Sequence, residues 1–382
     1  MTPEIAMLQT EPGIGFDNES YLENQIRAFH NRIDSMPDAD LIVEFGGKPF
    51  GDHHAARVLP GYHIDNKANI IRHLQQECNS KIAMVVNARD IFHPPEGRTF
   101  SGRVRGDSGL RYDFETIRLI QEANEVHDIK IDGAVIAVMP RSISGMNLAR
   151  IEQFSKELYK QIGVNPCVCY EIPGYPDVSC IANEKITEGF IDNDTIADPG
   201  RNLILLSPGG GSGKFGVVIS EIYKKLTVGV PVAFAKFETF PVFELASDHP
   251  LNLAFIAATA DLANHLVSLE QGTNYDKDSE NFQLLVELVQ RLSDSKGYIS
   301  AMKSQFDFSI NVIETGITDE QIVFKAAYRE IQNRLLRYQK EYILGIEKLS
   351  TVEETAKIAG QCAVYLSRRS AESSLTVLGI ST

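Results

Sequence analysis

The 382-residue chain has no tryptophan, only five cysteines, and fewer basic than acidic residues, 37 against 51. Its formal net charge of −14 repels phosphate backbones and anionic lipid, which argues against nucleic-acid and membrane partners. The odd, scattered set of Cys78, Cys167, Cys169, Cys180 and Cys362 is no disulfide framework. Cys167, Cys169 and Cys180 lack a fourth ligand at zinc spacing, so no structural zinc is expected. No apolar run reaches the roughly 18 residues needed to span a bilayer. The first residues lack a basic region followed by an apolar stretch, so a cytoplasmic location without a secretory signal is expected. Metalloprotease His-Glu-x-x-His and hydrolase Gly-x-Ser-x-Gly patterns are also absent, and no dinucleotide Gly-x-Gly-x-x-Gly follows a first strand.

What is present is an alternation of short apolar runs and amphipathic stretches. Strands are predicted at Leu41–Phe45, Ile82–Asn87, Ala134–Val138, Cys167–Tyr170, Leu203–Leu206 and Val232–Ala235. Apolar runs this short, mostly rich in Val and Ile, suit strands buried on both faces. Helices are predicted at Tyr21–Ile33, Asn66–Glu77, Asp113–Val126, Asn147–Gln161, Phe215–Leu226 and Leu251–Ser268. This pattern predicts an α/β fold with a doubly wound, mostly parallel sheet over residues 15–275, as one unit or as two sub-domains split near 190–200. Beyond it, 276–382 reads as a helical segment (Glu280–Leu292, Asp319–Leu349, Val352–Ser367) for packing or homo-oligomerisation.

The strongest chemical signal follows the run Leu203–Leu206. Ser207-Pro208-Gly209-Gly210-Gly211-Ser212-Gly213-Lys214 leads directly into an amphipathic helix. Glycines let backbone N–H groups converge, the helix start favours an anion, and Lys214 adds a cation, which is the physical design of a phosphate-binding P-loop. Two positions depart from that pattern. Pro208 stands where the first glycine belongs, and Phe215 replaces the Ser or Thr whose hydroxyl holds magnesium. Ser212 could substitute for that hydroxyl, and the same residues could also form a plain strand-to-helix turn.

Three further loops carry related chemistry. Gly46-Gly47-Lys48 follows the first strand, with Arg57 close behind, and could present donors and cations to phosphate. The adjacent Asp52, His53 and His54 invite a metal reading, yet neighbouring side chains rarely point at one ion, and no metal ligand is assigned. Lys236-Phe237-Glu238-Thr239 follows Val232–Ala235, at the strand end where open α/β sheets bind ligands. Glu238 is the candidate general base and Lys236 its cationic neighbour at the reacting group. Arg103 through Gly109, with Arg105, could cover a site as a lid. Each of these could equally be a solvated turn.

Several of these stretches, in this order, resemble one bacterial family. They are Gly15-Phe16-Asp17-Asn18-Glu19, Glu44-Phe45-Gly46-Gly47-Lys48, Ala56-Arg57-Val58-Leu59-Pro60-Gly61, Val104-Arg105-Gly106-Asp107, the loop through Lys214, and Lys236-Phe237-Glu238-Thr239-Phe240-Pro241. The family is known as domain of unknown function 1846. The resemblance implies an intracellular α/β protein with a P-loop-like turn and a further C-terminal domain beyond the matching segment. Some members carry the label ATP-dependent zinc protease, whose protease half finds no ligands here. The expected function is binding of a nucleotide or phosphometabolite, with ATP and Mg2+ as candidate cofactors, in an ATP-dependent transferase or hydrolase. The alternative is a non-catalytic phosphate-sensing or assembly protein.

Overall fold

A computed structural model describes residues 13–92, 110–172, 189–196, 199–261, 281–287, 299, 302–303 and 307–377, with side chains to 369. Among them the apolar runs become six strands: β1 (Asp40–Phe45), β2 (Lys81–Asn87), β3 (Gly133–Met139), β4 (Cys167–Tyr170), β5 (Asn202–Leu206) and β6 (Val232–Phe237). They form one sheet in the order β4-β3-β2-β5-β1-β6, with every pairing parallel. The chain places β5 between β2 and β1, so the loop after β5 leaves the middle of the sheet. Parallel strands need long crossovers. These run through helices α2 (His53–Val58), α3 (Asn66–Glu77), α4 (Ala88–Ile91), α5 (Tyr112–Glu125), α6 (Gly145–Ile162) and α7 (Lys214–Thr227), while α1 (Asn18–Asp34) precedes β1 and α8 (Pro250–Ala258) follows β6.

Alternation along each strand divides the core between two faces. Val43, Phe45, Met84 and Val86 point to one face, under α1, α3, α5 and α6. Ile42, Val85, Leu205 and Phe234 point to the other, against Val217, Val218, Ile219 and Ile222 of α7. Covered on both sides, the strands have little use for polar residues, which is why they read as continuous apolar runs.

The helices α9 (Glu320–Ile343) and α10 (Leu349–Val377) do not stand apart. Val323, Ala327, Ile331, Ile358 and Cys362 share a third core with Phe16, Tyr21, Val58, Phe240 and Leu251. Arg57 of α2 reaches Glu330 of α9 at 3.0 Å.

Three boundaries differ from the sequence reading. Strand β6 continues through Phe237, because residues 308–310 bond to Lys236 along its open edge: Lys236 N–H donates to the Phe308 carbonyl (2.8 Å), and Ile310 N–H to the Lys236 carbonyl (2.9 Å). The stretch 319–349 breaks after Ile343, where Gly345 takes φ +71°. The helix expected at 251–268 ends at Ala258, capped at Thr259, and residues 262–268 lie outside the described residues. No helix among the described residues is long and apolar enough to cross a membrane.

Candidate functional site

The carboxyl ends of β5, β1 and β6 meet the start of α7. Between Leu206 and Lys214 the chain turns on Gly211 and Gly213, whose φ values of +71° and +86° lie where glycine alone is unstrained. Gly213 occupies the N-cap of α7 without any capping side chain, and the first N–H groups of a helix have no intrahelical partner.

Four neighbouring residues hold this loop. Asn87, at the end of β2, donates its Nδ2–H to the Gly211 carbonyl at 2.9 Å. A Cβ at Gly213 would lie 2.8 Å from Val138 Cγ2 and 2.9 Å from Ala137 Cβ, and one at Gly209 would lie 2.5 Å from the Tyr112 hydroxyl. Val138 itself has φ +55° at a register shift between β3 and β4. A β-branched residue in that region is strained, and strain of this kind concentrates where a loop is held against its preference.

Lys214, the first residue of α7, is 5% exposed. Its Nζ folds back to donate to Ser207 Oγ at 2.7 Å and lies 3.9 Å from Glu44 Oε1. Burial pulls the Lys214 ammonium below its usual pKa, and Glu44 and Glu238 oppose that shift. Ser212 is 2% exposed, and its hydroxyl has no hydrogen-bond partner. A buried hydroxyl left in this state costs about 1–3 kcal/mol. The Phe215 ring lies 6.2 Å from that of Phe234, tying the residue after the lysine to the core.

Period two along β1 puts Glu44 on the same face as Ile42, the face that α7 covers. Glu44 stands opposite Lys236 in the β1–β6 register, and Lys236 Nζ lies 3.2 Å from Glu238 Oε2. The Glu238 carboxylate lies across Gly46, where an added Cβ would fall 1.9 Å from Oε1. Beside them Lys67 Nζ donates to the carbonyls of Gly46 and Lys48, each at 3.2 Å, and pairs with Asp52 Oδ2 at 3.1 Å. Asp52 also accepts from Thr239 Oγ1 at 2.8 Å. Burial alone would raise the Asp52 carboxyl, but Lys67, with help from Thr239, holds it below its usual value.

The structure thus brings Gly209 through Lys214, Lys236, Glu238, Gly46, Gly47 and Lys48 to one edge of the sheet. It gives Arg57 to Glu330 instead, and Arg105 lies outside the described residues. His54 faces the rings of Phe240 and Phe255. Among the described residues no group of three or more His, Cys, Asp or Glu side chains could hold a metal ion by itself. Sequence reasoning passed over Glu44, Lys67, Asn87 and Tyr112 as site residues. Only Glu44 left a local signal, as an acid closing the apolar run Leu41-Ile42-Val43.

The chain is similar to known proteins over most of its length. A UPF0371 protein of Streptococcus pyogenes serotype M5 is 36% identical over 330 residues, 84% of this chain and 62% of the relative. One from Streptococcus sanguinis matches to the same extent. One from Fusobacterium nucleatum is 32% identical over 352 residues, 90% of this chain and 64% of the relative. The chain therefore spans less than two thirds of the length of these relatives. A family model described as "Domain of unknown function DUF1846, N-terminal" matches residues 14–362, and the chain belongs to that family.

Proposed function

We propose that the chain binds a phosphorylated small molecule, a nucleotide or phosphometabolite, on the loop from Ser207 to Lys214. The observation that carries this reading is the Ser212 hydroxyl, buried and without a partner inside a glycine loop that ends at an uncapped helix start. A phosphate oxygen there would satisfy the hydroxyl together with the first N–H groups of α7. Lys214 and Lys236 supply charge, and Glu238, beside Lys236, is the residue suited to act as general base in an ATP-dependent transferase or hydrolase. ATP with Mg2+ is the first ligand to test, by calorimetry on the full chain. Lys214→Ala removes a charge-assisted contact, and the affinity is expected to fall about tenfold or more. Undiminished affinity in that variant would refute the loop as the site.

A second reading, a phosphate-sensing or assembly protein working as a homo-oligomer in the cytoplasm, draws on a different observation. The turn joining α9 to α10 exposes Tyr342, Ile343, Leu344, Ile346 and Leu349, a cluster of apolar side chains of the kind that marks protein–protein contacts. Phosphate release on incubation with ATP favours the enzyme, and ligand-dependent change of mass in solution without turnover favours assembly.

A further inference from the structure

Each of three lysines in the cluster around Lys214 already faces a carboxylate, with Lys48 as one further cation nearby: Lys67 faces Asp52 at 3.1 Å, Lys236 faces Glu238 at 3.2 Å, and Lys214 faces Glu44 at 3.9 Å. Each of these side chains is at most about one fifth exposed. A polyphosphate entering alone would bring several uncompensated negative charges to carboxylates already in place, on a chain whose net charge is −14. Burying unpaired charge is costly, so a second cation must arrive with the phosphate or the carboxylates must move away.

The three acids are not equivalent in this respect. Asp52 is committed to Lys67, Thr239 and the Ala55 N–H, and Glu238 lies against Lys236. Among the described residues the Glu44 carboxylate holds only a long contact with Lys214, whose short bond goes to Ser207. It can therefore turn towards a cation while Lys214 keeps its hydrogen bond. It also sits on the strand beside β5, with Glu44 paired to Leu205, one residue before the last of the strand that feeds the phosphate loop. Magnesium suits this arrangement because it takes one or two carboxylates and completes its shell with phosphate oxygens and water. That fits a protein surface that offers no group of three ligands among its described residues.

From this geometry we infer that the site takes its ligand as a polyphosphate–divalent cation complex, and that Glu44 is the carboxylate on the metal side. The inference rests on the phosphate reading of the 207–214 loop and assigns the position that Phe215 leaves without a hydroxyl. Ser212, on this assignment, faces a phosphate oxygen and not the metal.

Calorimetry on the full chain tests it, with ATP and, separately, inorganic pyrophosphate, each in magnesium buffer and in EDTA. Wild type is expected to bind at least about tenfold more tightly with magnesium. Glu44→Gln is expected to bind at least as tightly as wild type in EDTA, because one repelling charge is gone, and to lose the magnesium enhancement, whereas Ser212→Ala weakens binding in both buffers alike. Should Glu44→Gln fail to give a wild-type melting curve, Glu44→Asp retracts the carboxylate while keeping its charge, and its magnesium enhancement is expected to shrink. Enhancement with both probes identifies polyphosphate as the recognised group, and enhancement with ATP alone a nucleotide; both support the assignment. Equal wild-type affinity in the two buffers overturns the inference while leaving the phosphate loop standing, as does full magnesium enhancement without the Glu44 carboxylate. Failure to bind either probe in either buffer removes the phosphate loop and the inference together.

Discussion

Replacing Gly213 by alanine asks whether the loop conformation itself is essential. At φ +86° an L-residue pays a backbone penalty of about 1–2 kcal/mol. The new methyl carbon would lie 2.8 Å from Val138 Cγ2 and 2.9 Å from Ala137 Cβ, inside normal contact distance. Neither neighbour is the free end of a long side chain, and Val138 is already strained at φ +55°. Overpacking of this kind adds about 1–3 kcal/mol, so the total destabilisation is expected near about 2–5 kcal/mol, less whatever the loop recovers by shifting outwards. The matched control is Gly210→Ala. Among the described residues outside its chain neighbours, Gly210 has no heavy atom within 4 Å of its added Cβ and no positive φ, so its effect should stay within about 0.5 kcal/mol. Urea unfolding of both variants gives the comparison, and the midpoint is expected to fall only for Gly213→Ala. Equal midpoints for the two variants would refute the argument that the loop is held by β3.

Other consequences follow from the same contacts. Gly46→Ala places its methyl 1.9 Å from Glu238 Oε1, so the carboxylate must leave its seat; a crystal structure should show it displaced, and any turnover should fall further than ligand affinity. Glu238→Gln should likewise reduce turnover more than binding, whereas Lys236→Ala should mainly weaken binding, because its role is electrostatic. Burial would raise the Glu330 carboxyl, but His54, Arg334 and Arg57 bring it down to about 2 from the ordinary 4.5. Its contribution is then complete above pH 4.5 and lost as the pH falls towards 2. Glu330→Gln should remove that part of the acid dependence in urea unfolding, at a cost below the ~3–5 kcal/mol of a fully buried broken pair, because Arg57 is half exposed. An unchanged acid limb in this variant would show that the pairing contributes nothing to holding α2 against α9.

The chain's own pattern determined the strands and most helices. Runs such as Leu203–Leu206 and the 3.6-residue spacing of α3 and α7 are local, and burial on both sheet faces leaves a strand little choice of composition. The glycine loop was legible for the same reason, since Gly211, Gly213 and Lys214 carry their conformational and electrostatic signals within one short segment. Strand order was decided only by the tertiary structure. It put β1 between β5 and β6, set Glu44 beside Lys214 across a sequence gap of 170 residues, and turned Asn87 and Tyr112 into supports of a loop far along the chain. It also took Arg57 away from the site by presenting Glu330 from α9. Side-chain pairings of this kind depend on which elements pack together, a choice made by the burial of whole faces and therefore invisible in any one stretch of sequence.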